Sequence, residues 1–273
     1  MSDAPQPSDR IDLHTDRPHS ARVYNYIVGG KDHFAADRET AAQVLANWPG
    51  LRTSMRANRA CMQRMARYLT GLGMRQFIDV GTGIPASPNL HEVVQETAPD
   101  ARVVYVDNDP IVLAHARALL SGTPEGRTAY IDADMHSPEA LFGDPALHDV
   151  ADLSRPVAVT LIAMLQFVAD ARGLVEALVA PLAPGSHIAV TVPTADLAPE
   201  SVGLAEQYTR DGIPMYLRDR AEVAELFTGL EILEPGVVPM PRWRPAPGDE
   251  PLPDTATNMY AAAARKPGVA PPA

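Results

Sequence analysis

Cysteine, positive charge and long apolar runs are all scarce in this sequence of 273 residues. Cys61 is the only cysteine, so no disulfide can form within the chain, which fits a reducing compartment. No apolar run approaches the roughly 18 residues of a membrane span, and the polar, proline-rich first stretch has no apolar signal segment. The formal net charge of −11 argues against a general nucleic-acid binder, which needs a basic surface. We therefore expect a cytoplasmic protein without nucleic-acid or membrane partners.

The pattern of the chain divides it into four segments. Residues 1–18 are expected to form a disordered arm and residues 268–273 a tail, because both are rich in proline and small or polar residues. Residues 19–72 have a helical pattern and are expected to form an N-terminal helical cap. Residues 73–267 alternate strands with helices, which is typical of a parallel sheet covered on both faces.

Seven strands are predicted in residues 73–267. Their sequences are QFIDV, RVVYVD, TAYIDA, VAVTLIAML, HIAVTV, LEILEPGVV and MYAAAAR. No helix separates the last two, which are joined by a proline-rich loop, so we expect them to pair antiparallel. The predicted fold class is α/β, with a mostly parallel seven-stranded sheet whose last strand is antiparallel.

The stretch QFIDVGTGIPASPNLHEVV, residues 76–94, predicts a strand, a glycine turn and a helix. Its GTGIPA formally matches the dinucleotide fingerprint, in which a helix starts in the glycine turn and binds a pyrophosphate. Pro88 would then lie about four residues into the helix, where its missing N–H removes the first intrahelical bond. We therefore predict a helix that begins at Pro88, capped by Ser87, and a loop that wraps a ligand without a pyrophosphate. Asp109-Pro110 and Ser137-Pro138 predict helix starts in the same way.

Three carboxylates stand at the ends of three predicted strands. Asp79 precedes the glycine turn, where a carboxylate suits a cation better than a phosphate; ordinary capping of the turn is the alternative. Asp107 ends the second strand, where an acid can accept hydrogen bonds from the ribose of a nicotinamide or an adenosine ligand. Asp134 follows the third strand, where it can accept from an adenine amino group. The alternative is that Asp132 and Asp134 only solvate the loop.

Taken together, these motifs resemble a known family. FIDVGTGIP, VVYVDNDP, DADMHSP, LIAMLQFVAD and LAPGSHIAVT, in this order, resemble the class I S-adenosylmethionine-dependent methyltransferases. SARVYNYIVGGKDHFAADR and RTSMRANRACMQRMARYL are similar to a bacterial S-adenosyl methyltransferase family formerly catalogued as a domain of unknown function. The resemblance covers about residues 19–267. It implies a Rossmann-like seven-stranded sheet and S-adenosylmethionine as cofactor.

The resemblance also implies which residues bind the cofactor. They are Asp79, Gly81, Thr82 and Gly83 in the glycine loop, Asp107 and Asn108 at the ribose, and Asp134 and Met135 at the adenine. Related sequences often have Leu-His at the end of the fourth strand, where this chain has Leu165-Gln166, so we expect no base at that position. Neither the resemblance nor the sequence names a methyl acceptor.

The acceptor side has candidates but no assigned catalytic residue. The candidates are Tyr24, Tyr26, His33, Gln166 and Trp243. Because residues two apart on a helix face different directions, at least one of the two tyrosines is expected to be a core aromatic.

The segment RTSMRANRACMQRMARYL contains an arginine on its apolar side. Met55, Met62, Met65, Ala66 and Leu69 have helical spacing, and Asn58 and Arg59 fall within this stripe. An arginine on a packing face needs an anion. That anion is either a carboxylate of the protein, such as Asp79, or the methionine carboxylate of the cofactor, held with help from Asn58 by two parallel hydrogen bonds. In the second case the N-terminal cap would be a lid over the glycine loop.

Three functions are compatible with these patterns. The first is in-line methyl transfer to a small molecule, for which the protein mainly supplies positioning and desolvation. The second is binding of S-adenosylmethionine without turnover, because no base is evident. The third is a nicotinamide-dependent oxidoreductase, against which the position of Pro88 argues. No metal site is expected, since HEVVQ at His91 lacks the second histidine of a zinc-binding helix.

Overall fold

A mixed eight-stranded sheet forms the centre of the computed structural model, which describes residues 13–119, 122–249 and 251–268. The strands are β1 (Gln76–Val80), β2 (Arg102–Asp107), β3 (Arg127–Asp132), β4 (Ala158–Ile162), β5 (His187–Pro193), β6 (Glu231–Ile232), β7 (Val238–Pro239) and β8 (Met259–Arg265). Their order in the sheet is β3-β2-β1-β4-β5-β8-β6, with β7 also paired to β8. β1 to β5 are parallel, whereas β8 runs antiparallel to β5, β6 and β7. The predicted α/β class and the antiparallel last strand are confirmed.

Helices cover both faces of this sheet. Within the described residues the α-helices are α1 (Ser20–Val28), α2 (Ala35–Asn47), α3 (Leu51–Gly71), α4 (Leu90–Gln95), α5 (Pro110–Leu119), α6 (Pro138–Gly143), α7 (Pro145–Val150), α8 (Ala171–Val179), α9 (Ser201–Arg210) and α10 (Arg220–Glu225). The helical pattern predicted for the N-terminal segment corresponds to α1, α2 and α3. In these described ranges, each helix is too short or too polar to span a bilayer.

Alternating strand residues supply two hydrophobic cores, one on each face of the sheet. Phe77 of β1 points to the core shared with α3 and α4, and Ile78 points to the opposite core shared with α6 to α8. Met65 of α3 is fully buried in the first core. Of the three N-terminal helices, α3 therefore packs on the sheet itself, whereas α1 packs on α2 and α3, and α2 also contacts α9.

Two predicted strands differ from those in the structure. The expected strand LEILEPGVV is split into β6 and β7, because Pro235 has no N–H and Gly236 adopts a positive φ of 84°. The expected strand VAVTLIAML ends early, at Ile162. Ala163 has a φ of 56°, which stops the extended chain, and a short 3₁₀ turn, Leu165–Phe167, follows.

The first helix after β1 also starts later than predicted. Residue Asn89, not Ser87, is its N-cap, and α4 begins at Leu90. The reason is a capping box, in which the Glu92 carboxylate accepts the backbone N–H of Asn89 at 2.5 Å. The helices predicted to start at Pro110 and Pro138 do so. The separation between glycine turn and helix is therefore larger than expected, which strengthens the argument against a pyrophosphate site.

The predicted arm and tail fall mainly on residues 1–12 and 269–273, which lie outside the described residues. Residues 13–18 are described and run beside α1. The guanidinium of Arg22 donates to the carbonyl oxygens of Leu13, His14 and Arg17 at 3.0, 3.2 and 3.1 Å. This part of the chain is thus fixed against the N-terminal helices.

Candidate functional site

A cavity of about 760 Å³ lies at the edge of the sheet where the parallel strands end. Side chains at or just after the ends of β1 to β5 line it, and α1, α3 and α9 contribute the opposite wall. Because β8 is antiparallel, its first residue, Met259, and the preceding Asn258 reach the same edge. The carboxyl edge of a parallel sheet is the usual ligand-binding edge of open α/β folds.

The glycine loop is held closely against β2. Gly81 and Gly83 have positive φ angles of 74° and 67°. The backbone N–H of Gly81 donates to the carbonyl oxygen of Val106 at 2.8 Å. A Cβ atom at Gly81 would collide with the side chain of Met164, whereas the position at Gly83 is open. The loop, with Thr82 between the two glycines, therefore lines the cavity with backbone.

Asp107 at the end of β2 has a structural task in addition to its predicted one. Its Oδ2 accepts the N–H of Gly83 at 2.8 Å, and its Oδ1 accepts the N–H of Asp109 at 3.0 Å. Burial raises the pKa of Asp107, although these hydrogen bonds favour the carboxylate. Asp107 therefore joins the glycine loop to the β2–α5 turn, and a ribose would be its third partner. The ribose contact stays a prediction.

Asp79 is a carboxyl group whose pKa is raised by its surroundings. Burial raises its pKa to about 6, while a hydrogen bond from Thr160 and the positive charge of Arg59 act in the opposite direction. The Thr160 hydroxyl donates to Asp79 Oδ1 at 2.5 Å, which the pairing of β1 with β4 makes possible. A cation placed beside Asp79 would favour its ionised form.

Arg59 lies where α3 meets the glycine loop. Its Nη2 donates to the carbonyl oxygens of Ala86 and Pro88, the latter at 2.9 Å. The neighbouring Asn58 is buried and accepts a hydrogen bond from the Thr191 hydroxyl at 2.7 Å. Both residues line the cavity. The partners seen for Arg59 are neutral carbonyls, so a bound carboxylate would be its first full counter-charge there.

The segment after β3 supplies the adenine-side candidates. Asp134 and Met135 line the cavity beside Asn108. Burial disfavours the Asp134 carboxylate, but hydrogen bonds from the His136 backbone and ring, and from Asn108, outweigh it and lower the pKa. Asp134 Oδ1 lies 2.7 Å from Nδ1 of His136. Asp134 is therefore ionised and available as an acceptor at the rim of the cavity.

A buried ion cluster that the sequence did not reveal anchors α1 beside these loops. Arg22 is 2% exposed, and its Nε lies 3.4 Å from Asp37 Oδ1 and 3.7 Å from Asp109 Oδ2. Nδ1 of His19 lies 3.0 Å from the same Asp109 oxygen. In the sequence, Asp109-Pro110 indicated only the start of a helix. The ion cluster could not be predicted, because its members come from distant parts of the chain.

The acceptor-side candidates divide into two groups. Tyr24 and Gln166 line the cavity, and the Tyr24 hydroxyl donates to the Met55 carbonyl at 3.1 Å. Tyr26, His33 and Trp243 are not among the described residues that line it. The rings of Tyr26 and His33 contact each other edge to face, with centroids 5.0 Å apart.

Trp243 is fully buried in the first hydrophobic core rather than facing the cavity. It packs against Tyr68 with ring centroids 5.7 Å apart. Arg64 holds this loop by donating to the backbone carbonyl of Trp243 at 3.0 Å. A proline-rich loop gives no periodic signal, so its direction could not be predicted from the sequence.

Other cavity residues were missed because no motif in the sequence marks them. Tyr208 and Asp211 come from α9 and the loop after it, and Asn258 precedes β8. Asn258 has no described hydrogen-bond acceptor for its Nδ2. No group of three or more metal-ligating side chains occurs among the residues that the structure describes.

A family model described as S-adenosyl methyltransferase matches residues 5–267. The chain belongs to this family. A DUF574 family protein from Streptomyces avermitilis is 49% identical with a TM-score of 0.91, and the match covers 94% of this chain and all of that one. A candidate methyltransferase from Thermobifida fusca is 37% identical with a TM-score of 0.88, covering 98% of this chain and all of that one. The resemblance read from the sequence is thus confirmed.

The curated relatives match a smaller part of this chain. Trans-aconitate 2-methyltransferase from Acidovorax sp. (strain JS42) is 32% identical over 122 residues, and a second from Acidovorax ebreus (strain TPSY) matches equally. These matches cover 44% of this chain and 38% of those proteins, so the chain spans well under half the length of the curated relatives.

S-adenosylmethionine is the cofactor of this family, and the cavity suits it chemically. A sulfonium with an amino-acid tail carries positive charge and one carboxylate, and the cavity offers the carboxylate of Asp79 near the guanidinium of Arg59. A pyrophosphate would need a helix N-terminus in the glycine turn. In this family member α4 starts only at Leu90.

Proposed function

We propose that the protein transfers a methyl group from S-adenosylmethionine to a small-molecule acceptor. One observation carries the proposal. A single cavity joins a side lined by carboxylates and Arg59, at the ends of β1 to β3, to a side lined mostly by apolar residues, at the ends of β4 and β5. A charged cofactor and a smaller, less polar molecule would thus meet within one cavity.

The cofactor side has a group for each part of S-adenosylmethionine. Asp79 would face the positively charged methionine portion, and Arg59 with Asn58 would bind its carboxylate. Asp107 would accept from the ribose hydroxyl groups, and Asn108 lies next to it. Asp134 and Met135 would flank the adenine. These assignments are supported by the position of each residue in the cavity wall.

When bound, S-adenosylmethionine would supply an electrophilic methyl group: an acceptor lone pair would attack the methyl carbon in line, the S–C bond electrons would stay on the departing sulfur, and a proton of the acceptor would pass to solvent. The protein's task is to orient the acceptor and exclude water. Burial raises the pKa of Tyr24, and burial raises that of Tyr208 as well, so both cavity phenols are neutral at physiological pH. We propose that residues 19–72 act as a cap that closes the cavity.

The test is label transfer from methyl-labelled S-adenosylmethionine in an extract of small molecules. We expect label in an extractable small molecule, and binding of S-adenosylmethionine in calorimetry at micromolar concentrations. Binding without transfer to any acceptor would favour a protein that holds S-adenosylmethionine without turnover. A calorimetric signal with NAD and none with S-adenosylmethionine would refute the proposal.

A further inference from the structure

The part of the cavity beyond the cofactor residues, here called the acceptor side, has an unusual charge composition. It consists of the cavity-lining residues among 162–167, Pro193, 204–215 and 258–259. Among these described lining residues none is basic, and Asp211 is the one acid. Asp211 is itself occupied, because it accepts hydrogen bonds from Thr40 at 2.6 Å and from the Gln207 amide at 3.1 Å. A carboxylate-bearing acceptor would find no counter-charge on this side.

The walls of the acceptor side suit a flat apolar molecule. Phe167 and Tyr208 stack with centroids 6.3 Å apart and planes inclined by 26°. Leu204, Ile213 and Met215 complete the apolar lining on the side of α9 and its following loop. An aromatic ring of a ligand that packs against such a pair is stabilised by more than the burial of its apolar surface alone.

Two buried amides at this edge lack one partner each. Gln166 is 5% exposed and donates through Nε2 to the Ala163 carbonyl at 2.6 Å, but its Oε1 has no described donor. Asn258 is fully buried and accepts at Oδ1 from the Ser54 hydroxyl at 2.8 Å, but its Nδ2 has no described acceptor. An unpaired buried polar atom costs free energy, so each atom favours a ligand that pairs with it.

We propose that the methyl acceptor is an uncharged, planar small molecule with an O–H or N–H donor for Gln166 Oε1 and a hydrogen-bond acceptor for Asn258 Nδ2. The ring of this molecule packs against Phe167 and Tyr208. The inference rests on the proposed function, since it assumes that the cofactor occupies the other side of the cavity. It excludes polycarboxylates as substrates, and therefore the substrate named for the Acidovorax relatives.

The experiment is calorimetry on the full chain saturated with S-adenosylhomocysteine, using naphthol, naphthoate and trans-aconitate as probes. Naphthol and naphthoate share a ring system and differ in charge at neutral pH. We expect naphthol to bind at least tenfold more tightly than naphthoate, and trans-aconitate to give no heat. Equal or tighter binding of either anion, or no binding of naphthol, overturns the inference. Failure of S-adenosylhomocysteine itself to bind would instead refute the proposed function.

Two variants test the residues named. Gln166→Met should weaken naphthol about tenfold, the loss of one hydrogen bond to a buried group, and leave S-adenosylhomocysteine binding unchanged. Met215→Lys puts a cation on the half-buried lining and should raise the affinity for naphthoate severalfold. Its control is Val202→Lys, since Val202 is 47% exposed on α9 and does not line the cavity. If both lysines act alike on naphthoate, or if Gln166→Met leaves naphthol unaffected, the acceptor side is misassigned.

Discussion

Arg22 and Arg59 come from the same group of N-terminal helices and both line the cavity, but their surroundings differ. Arg22 is 2% exposed and lies between the carboxylates of Asp37 and Asp109, with three backbone carbonyls completing its partners. Arg59 is half-buried and donates to two backbone carbonyls of the glycine loop. Carbonyl groups orient a guanidinium without neutralising it.

The difference separates a structural arginine from one available for a ligand. The charge of Arg22 is compensated within the protein, so removing it would take the arginine counter-charge away from the buried carboxylates of Asp37 and Asp109. Among the residues that the structure describes, Arg59 has no carboxylate at hydrogen-bonding distance, and its positive charge acts to lower the pKa of Asp79 against the effect of burial. Burial alone does not decide which role an arginine has; the charge of its partners does.

The largest expected effect is that of Arg22→Met on stability. We expect the free energy of unfolding to fall by about 3–5 kcal/mol, because Asp37 and Asp109 lose their counter-charge in a buried site. The melting temperature of the protein without ligand should fall on the order of 10 °C. Thermal unfolding followed by circular dichroism measures this.

Arg56→Met is the matched control, since Arg56 lies on α3 and is exposed. It should change the unfolding free energy by less than about 0.5 kcal/mol. Asp37→Asn should also recover part of the stability lost in Arg22→Met, because it removes one of the stranded charges. Equal melting temperatures for the Arg22 and Arg56 variants would contradict the structural role of Arg22.

The next effect is that of Arg59→Met on cofactor binding. We expect S-adenosylmethionine to bind about 1.5–3 kcal/mol more weakly, the scale of hydrogen bonds to a charged group. Methylthioadenosine has no amino-acid tail and should bind as before. The melting temperature without ligand should change little, in contrast to Arg22→Met. Calorimetry with both ligands makes the comparison; equal weakening of both, or strong destabilisation of the ligand-free protein, would make Arg59 a second structural arginine.

The smallest effect is a pH dependence that passes through Asp79. Its folded-state pKa is raised to about 6, so its contribution to the stability of the ligand-free protein is present at low pH and is lost as pH rises through about 6. A bound cation has the opposite effect, because a neighbouring positive charge favours the ionised form of Asp79 over the protonated form. The affinity for S-adenosylmethionine should therefore fall by up to about tenfold per pH unit below pH 6.

Two variants sharpen this pH dependence. Asp79→Asn should bind S-adenosylmethionine with an affinity that hardly changes between pH 5 and 7. Arg59→Met should move the midpoint to higher pH, because its charge lowers the pKa of Asp79 in the native protein. A pH profile identical for the native protein and Asp79→Asn would show that Asp79 does not face the cation.

The sequence predicted the layout of the sheet better than the details of its edge. Buried apolar runs such as QFIDV and RVVYVD gave β1 and β2 with the observed bounds, because a parallel sheet buries both faces of each strand. Helical spacing also put Arg59 and Asn58 on the apolar stripe of α3, and both line the cavity. The ion cluster of Arg22 could not be predicted, since its partners come from α2 and from the turn after β2.

The start of α4, the end of β4 and the path of the loop that contains Trp243 were not predicted correctly, because each depends on local backbone conformation. Ser87-Pro88 has the pattern of a helix start. The helix begins at Leu90 instead, because Asn89 and Glu92 form a capping box there. The left-handed conformation of Ala163, which ends β4, has no signature in an alanine. Trp243 was expected at the cavity and lies in the core, because a proline-rich loop carries no hydrophobic period.

Asn258 also determines when the cavity can form during synthesis of the chain. It exchanges hydrogen bonds with Ser54, which is 204 residues earlier. At a translation rate of about 5–20 residues per second, Ser54 is added to the chain roughly 10–40 s before Asn258. Until then β5 also lacks its neighbour β8, and its edge is open to pairing with other chains. A nascent chain of this protein therefore has an incomplete cavity wall and an open sheet edge until β8 is made.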